Sequence, residues 1–132
     1  GIQGAVLRVK MKYIEKWTEM RRDAAGRYDE MFAGSGIETP VQMDNRRHVY
    51  HLYVIRTAER ERWIKELNGK GIQTGIHYPF PVHLLPAYAD LGYKQGQFPH
   101  SEKAANEVLS LPMYPELTGD MQAEVVEAVK AL

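Results

Sequence analysis

The sequence predicts an α/β fold: a two-layer sandwich with a small three-stranded sheet, preceded by a long N-terminal helix. Three observations carry it. Apolar residues recur every three or four positions over the first thirty residues. Three β-branched or aromatic runs then alternate with amphipathic stretches. A Gly/Ser break separates the two regimes.

The opening stripe is Ile2, Val6, Val9, Tyr13, Trp17, Met20, Ala24, Tyr28 and Met31, the period of an α-helix. Unbroken from Gln3 to Phe32, such a helix would be about 45 Å long at 1.5 Å per residue. Its other face mixes Arg8, Lys12, Glu15, Lys16, Glu19, Arg22 and Asp23. Mixed sign argues against a membrane-surface helix, and bulky Tyr and Trp in the stripe argue against a coiled coil. The stripe therefore reads as a face that packs on a neighbouring domain or subunit, and a homo-oligomer through this helix is the expected partner arrangement. Gly1-Ile2-Gln3-Gly4 supplies no capping side chain, which reads as a segment taken from inside a longer element.

Ala33-Gly34-Ser35-Gly36 ends the helix and opens a loop through Pro40, so the chain divides into a helix over 1–33 and a second unit over 40–132. His48 to Ile55 is the first strand. Thr57 caps a helix through Leu67, with Trp63, Ile64 and Leu67 inward. Ile72 to Tyr78 is the second strand, stopped by Pro79 and Pro81. Val82 to Leu91 is a short helix, and Pro99-His100-Ser101 opens another that buries Ala104, Ala105 and Val108. Leu109 to Met113 is the third strand. Thr118 caps the last helix, whose stripe is Met121, Val125, Ala128 and Leu132.

Composition excludes several functions. Lys+Arg and Asp+Glu are both 17, so no global charge favours nucleic acid. There is no cysteine, hence no disulfide, zinc knuckle or thiol nucleophile. No apolar run is long enough to span a bilayer and no signal peptide is visible, so a cytoplasmic location is expected. No P-loop, Gly-x-Gly-x-x-Gly or nucleophile-elbow serine occurs. His48 and His51 differ by three and point to opposite faces of a strand, and no carboxylate adjoins the histidines, so no metal site is assigned. Arg46-Arg47 reads as a solvated loop.

The stretch with most chemical potential is Gly75-Ile76-His77-Tyr78-Pro79-Phe80-Pro81-Val82-His83. Its two prolines stiffen a strand exit and remove backbone donors. His77, Tyr78 and His83 can donate hydrogen bonds to a polar ligand. Spacing alone leaves open the alternative in which Tyr78 and Phe80 are core and the histidines are rim.

Several stretches, in order, resemble one family. Ile2-Gln3-Gly4-Ala5-Val6-Leu7-Arg8-Val9-Lys10 is similar to its Ile-Gln-Ala-Ala helix start, Gly4 being a departure. Trp17, Arg21-Arg22 and Tyr28 continue that helix. His48-Val49-Tyr50-His51-Leu52-Tyr53, the Gly75–His83 stretch, Leu91-Gly92-Tyr93, Phe98-Pro99, Glu102 and Leu109-Ser110-Leu111-Pro112-Met113-Tyr114-Pro115 complete the set. The family is the DegT/StrS-type sugar-nucleotide aminotransferases, pyridoxal phosphate (PLP) enzymes of fold type I. The resemblance implies a dimeric enzyme that passes an amino group, usually from glutamate, to a nucleotide-linked keto-sugar, with PLP as electron sink. It also implies that the Schiff-base lysine, the aspartate on the pyridine nitrogen and most phosphate ligands lie in a large domain preceding this segment. None of the eight lysines here sits in the family's lysine motif. The expectation is a small domain that is not catalytic alone, binds no PLP by itself, and places His77, Tyr78 and His83 near the sugar nucleotide without a proton-transfer role. A stand-alone α/β binding or dimerisation module derived from the family is the alternative.

Overall fold

A computed structural model describes residues 1–132. The elements are α1 (Ile2–Lys10), α2 (Ile14–Phe32), β1 (Tyr53–Arg56), α3 (Arg60–Gly69), α4 (Pro99–Glu107), β2 (Val108–Leu111) and α5 (Gly119–Lys130). The fold is α/β, but the sheet has two strands, not three. β1 and β2 are antiparallel, with Tyr53 opposite Leu111 and Ile55 opposite Leu109. The expected second strand at 72–78 shrinks to a single bridge between Gly75 and Ser110. The prolines that close the segment have no N–H to extend a ladder.

The first strand also starts five residues later than its composition suggests. Tyr50 takes a positive φ of 46°, and its N–H donates to His48 Nδ1 at 2.9 Å. That local bond replaces a ladder bond.

The opening helix is interrupted at Met11–Tyr13. There the N–H groups of Lys12 and Tyr13 bond three residues back, to Val9 and Lys10 (3.3 and 3.0 Å), and helical bonding resumes in α2. Periodicity specifies a face, not an unbroken ladder. No residue of α1 is buried, so no packing enforces continuity. Ile2 is 86% exposed, and Val6, Leu7 and Val9 are each more than half exposed.

The helix from Thr57 starts later than expected, at Arg60. Thr57 Oγ1 instead accepts the Glu59 N–H at 3.1 Å, two residues too early to be its cap. The expected helix over 82–91 is a pair of 3₁₀ turns, Val82–Leu84 and Pro86–Leu91, split at extended Leu85. Pro86 disfavours a helical conformation at the residue before it.

The core is one cluster. Tyr28 and Phe32 of α2, Tyr53 and Ile55 of β1, Trp63 and Leu67 of α3, Leu109 of β2, and Val125 and Val129 of α5 meet in it. Tyr28 lies 4.8 Å from Tyr53 between ring centroids. Each ring buries its body and satisfies its hydroxyl: Tyr28 donates to the Pro112 carbonyl at 3.1 Å, and Tyr53 to Asp29 Oδ1 at 2.6 Å. Burial pushes both phenols above their ordinary pKa, and the Asp29 carboxylate adds to the shift at Tyr53.

In α5 the expected stripe holds at Val125 and Ala128, which are buried, but not at its first residue. Met121 is 48% exposed while Gln122 is fully buried. Thr118 does cap this helix, accepting the Met121 N–H at 3.3 Å. Thr118→Ala should lower stability by about 1 kcal/mol in urea unfolding, and Thr118→Ser should restore most of it. An unchanged midpoint for Thr118→Ala would contradict the cap.

The accessible surface is 9249 Å², against about 7,100 Å² for a compact monomer of this mass. The excess reflects a helical arm and a proline loop that stand away from the core.

Candidate functional site

The chain between the Gly75 bridge and α4 turns away from the sheet as a proline-stiffened loop. With α4 it encloses an open cavity of about 450 Å³. His77, Tyr78, Phe80 and Val82 line it from the loop, and Ser101 and Ala105 from α4. Tyr78 is 73% exposed and Phe80 64%, so neither ring belongs to the core of this chain. His77 Nδ1 lies 2.9 Å from the buried Ser110 hydroxyl of β2. The cis peptide bond of the loop joins His77 to Tyr78.

His83 does not join His77 and Tyr78 in that cavity. It lines a neighbouring hollow of about 460 Å³ with Tyr88, Leu91, Tyr93 and Phe98; Val82 and Ser101 belong to both. Its Nε2 is 3.1 Å from Glu102 Oε1, and its ring centroid is 4.7 Å from that of Phe98. Glu102 also accepts the Gly96 N–H at 2.8 and 2.9 Å and the Phe98 N–H at 3.2 Å. One carboxylate thus closes the turn before α4 and holds the His83 ring.

These bonds set a pH dependence. The Gly96 N–H foremost, then the Phe98 N–H and His83, hold the Glu102 carboxyl below its ordinary pKa, against the opposing effect of burial. A depressed carboxyl contributes stability that is full above its unfolded pKa and lost as pH falls through the folded value. The Gly96 amide resonance should therefore move on acidification from about pH 6 to about pH 3, and Glu102→Gln should flatten that response. A Gly96 titration that survives Glu102→Gln would assign it to another group.

The loop before β1 is strapped to α2 by arginines. Arg21 Nε donates to the Val49 carbonyl at 3.1 Å and Arg22 to that of His48 at 2.7 Å. Arg47 pairs with Glu15 at 3.0 Å and with Glu19. Its guanidinium is already engaged, so Arg47 is structural rather than a free anion site. His48 is likewise committed to Tyr50.

Two site residues escaped the sequence reading. Ser110 enters the sequence reading only as part of the Leu109–Pro115 stretch, and nothing local links it to His77, 33 positions away. Glu102 carried a signal: a carboxylate in the first turn after Pro99, placed to reach back to free N–H groups.

A small α/β unit led by a helical arm, with imidazole and phenol donors around an apolar hollow that has no lysine and no carboxylate in its wall, is the class that fold and cavity define. The profile of the DegT/DnrJ/EryC1/StrS aminotransferase family matches residues 1–130, and the chain belongs to that family. It is 45% identical over 131 residues to the "Pleiotropic regulatory protein" of Geobacillus stearothermophilus, covering 97% of this chain and 35% of that protein. It is 40% identical over 134 residues to the dTDP-3-amino-3,4,6-trideoxy-alpha-D-glucose transaminase of Micromonospora megalomicea subsp. nigra, covering 98% and 36%. Among solved structures, DesV of S. venezuelae, crystallised with a ketimine intermediate, superposes with a TM-score of 0.91 at 38% identity, covering 98% of this chain and 35% of that one. The chain spans about a third of the length of these relatives.

Proposed function

We propose that this chain is the substrate-covering small domain of a PLP-dependent aminotransferase that passes an amino group to a nucleotide-linked keto-sugar. The cavity under the proline loop carries this reading. It offers an imidazole, a phenol and the Ser101 hydroxyl in a mostly apolar hollow, the arrangement that orients a polar ligand. The family supplies the cofactor chemistry, but this chain's cavity wall does not fit the cofactor. It presents no amine to bond PLP covalently and no carboxylate for its ring nitrogen. The chain alone is therefore not catalytic on this reading, and the groups that hold PLP come from the remaining two-thirds of the relatives' length.

His77 and Tyr78 contact the ligand's polar groups. His83, held by Glu102, forms part of the neighbouring aromatic wall. The segment over 1–33 is the linking arm, the unit over 40–132 is the closing domain, and the exposed stripe of α1 is covered by the large domain or a second subunit of a homo-oligomer. No helix is long and apolar enough to cross a membrane; a cytoplasmic location is part of the proposal.

The test is to express the full open frame that carries this segment and to assay it with PLP, glutamate and dTDP- or UDP-linked keto-sugars, reading amino-sugar formation by mass spectrometry. The longer protein should transfer the amine and the 132-residue chain should not. A longer protein that binds no PLP would defeat the proposal.

A further inference from the structure

We propose that Ser110 is a positioning residue: with the bare Cα of Gly75, it holds the His77 ring so that Nε2–H is a fixed donor to a ligand oxygen at the cavity. The ligand half of this inference rests on the function proposed above; the ring's orientation does not.

Three observations converge on the ring. Gly75 and Ser110 are paired across the isolated bridge, Gly75 N–H to the Ser110 carbonyl at 3.0 Å and Ser110 N–H to the Gly75 carbonyl at 2.8 Å. This bridge fixes the base of the loop at the level of Ser110. The His77 ring then lies where a side chain on residue 75 would be: a Cβ there would come within 2.7 Å of His77 Cε1 and 3.3 Å of Nδ1. Any larger residue must push the ring off Ser110, so the glycine is needed for close approach, not for an unusual φ.

The third observation sets the proton. Ser110 is only 4% exposed, and His77 Nδ1 is the one hydrogen-bonding partner of its hydroxyl. A buried O–H seeks an acceptor, and Nδ1 is the acceptor present. With Nδ1 accepting, the neutral imidazole carries its proton on Nε2. Nε2 has no partner in the chain, and His77 lines a hollow whose other walls are mostly hydrocarbon. One oriented donor in an apolar wall selects a ligand by an acceptor oxygen, either on the sugar or on the diphosphate. The competing account is that His77 merely satisfies a buried serine and that its tautomer matters to nothing.

The first measurement is two-bond ¹⁵N–¹H correlation NMR of the imidazoles in the 132-residue chain at about pH 9, where histidine is neutral. The difference from His77→Gln assigns the signals of His77 among the five histidines. The expected wild-type state is the Nε2–H tautomer. Ser110→Ala and Gly75→Ala should mix the tautomers, and Ser110→Thr should keep the wild-type pattern. A wild-type Nδ1–H tautomer, or one that ignores Ser110→Ala, overturns the inference.

The second measurement uses the full-length protein. Ser110→Ala should raise KM for the nucleotide-linked keto-sugar about tenfold with kcat nearly unchanged, and Ser110→Thr should rescue it to within about twofold. Inhibition by the nucleoside diphosphate alone assigns the oxygen. If it weakens equally, the diphosphate is the acceptor; if it is unaffected, the sugar is. An unchanged KM overturns the ligand half while the proposed function stands. A wild-type enzyme that uses no nucleotide-linked sugar overturns that function and the ligand half together, while the NMR result still judges the ring.

Discussion

Leu109→Ala should cost about 4 kcal/mol of unfolding free energy, near the upper end of the range for deleting a fully buried leucine. Leu109 is wholly buried on β2, directly opposite Ile55, which is also wholly buried. Only 21 of the 132 residues are buried, so the core has few other contacts to compensate. The loss is a large fraction of the roughly 5–15 kcal/mol typical of a whole domain. Urea unfolding followed by far-UV circular dichroism should show the midpoint fall with little change of slope. Val41→Ala, at a position 83% exposed, should leave it alone. A loss for Leu109→Ala below about 1.5 kcal/mol would mean that β2 repacks freely. The result also calibrates tests at the neighbouring residue, because Ser110→Ala removes one hydroxyl and should not unfold the strand.

The second large effect is expected at Gln122. Its amide is fully buried between α2 and α5: Nε2 donates to the Ala24 carbonyl at 2.7 Å, and Oε1 accepts from Arg27 Nε at 2.6 Å. Arg27 also donates to the Leu117 carbonyl at 3.1 Å. Gln122→Leu keeps most of the volume but strips the guanidinium of a buried acceptor, at a cost of about 3 kcal/mol. Arg27→Met in the Gln122→Leu background should recover part of that loss, because both polar partners are then gone. Single-mutant and double-mutant losses that simply add would show that the two side chains are uncoupled.

Gln122 also shows what the sequence can and cannot disclose. Helical spacing locates α5 correctly but selects Met121 for the core, because hydropathy ranks thioether above amide. It cannot see that Arg27, 95 positions away, supplies the partner that makes an amide preferable. Strands near 48–55 and 109–113 are legible in the sequence, the first from its β-branched and aromatic content, but their antiparallel pairing is not. The expected second strand is not formed, because Ile72 to Tyr78 has strand composition, whereas pairing depends on a neighbour and on N–H groups the prolines lack. The late start of β1 rests on one local bond, from the Tyr50 N–H to the His48 ring. At the site, the proline-stiffened loop is readable from the motif, but the exposure of Tyr78 is not, since spacing alone leaves it open. Nor is the separation of His83 from His77, since it depends on Glu102 claiming the second imidazole.

The arginine straps across α2 have a consequence for handling the protein. The segment over 41–49 is attached to α2 largely by guanidinium bonds to carbonyls and carboxylates at exposed positions. Exposed charges are screened over about 3 Å in molar salt, whereas buried hydrocarbon contacts are not. Concentrated sodium chloride should therefore loosen this segment selectively. Limited proteolysis should cleave near Arg46 and Arg47 long before the core around Tyr28 and Tyr53 opens. Low-salt buffers would then preserve the whole fold through purification, and a high-salt step would release a clipped species that keeps its circular dichroism.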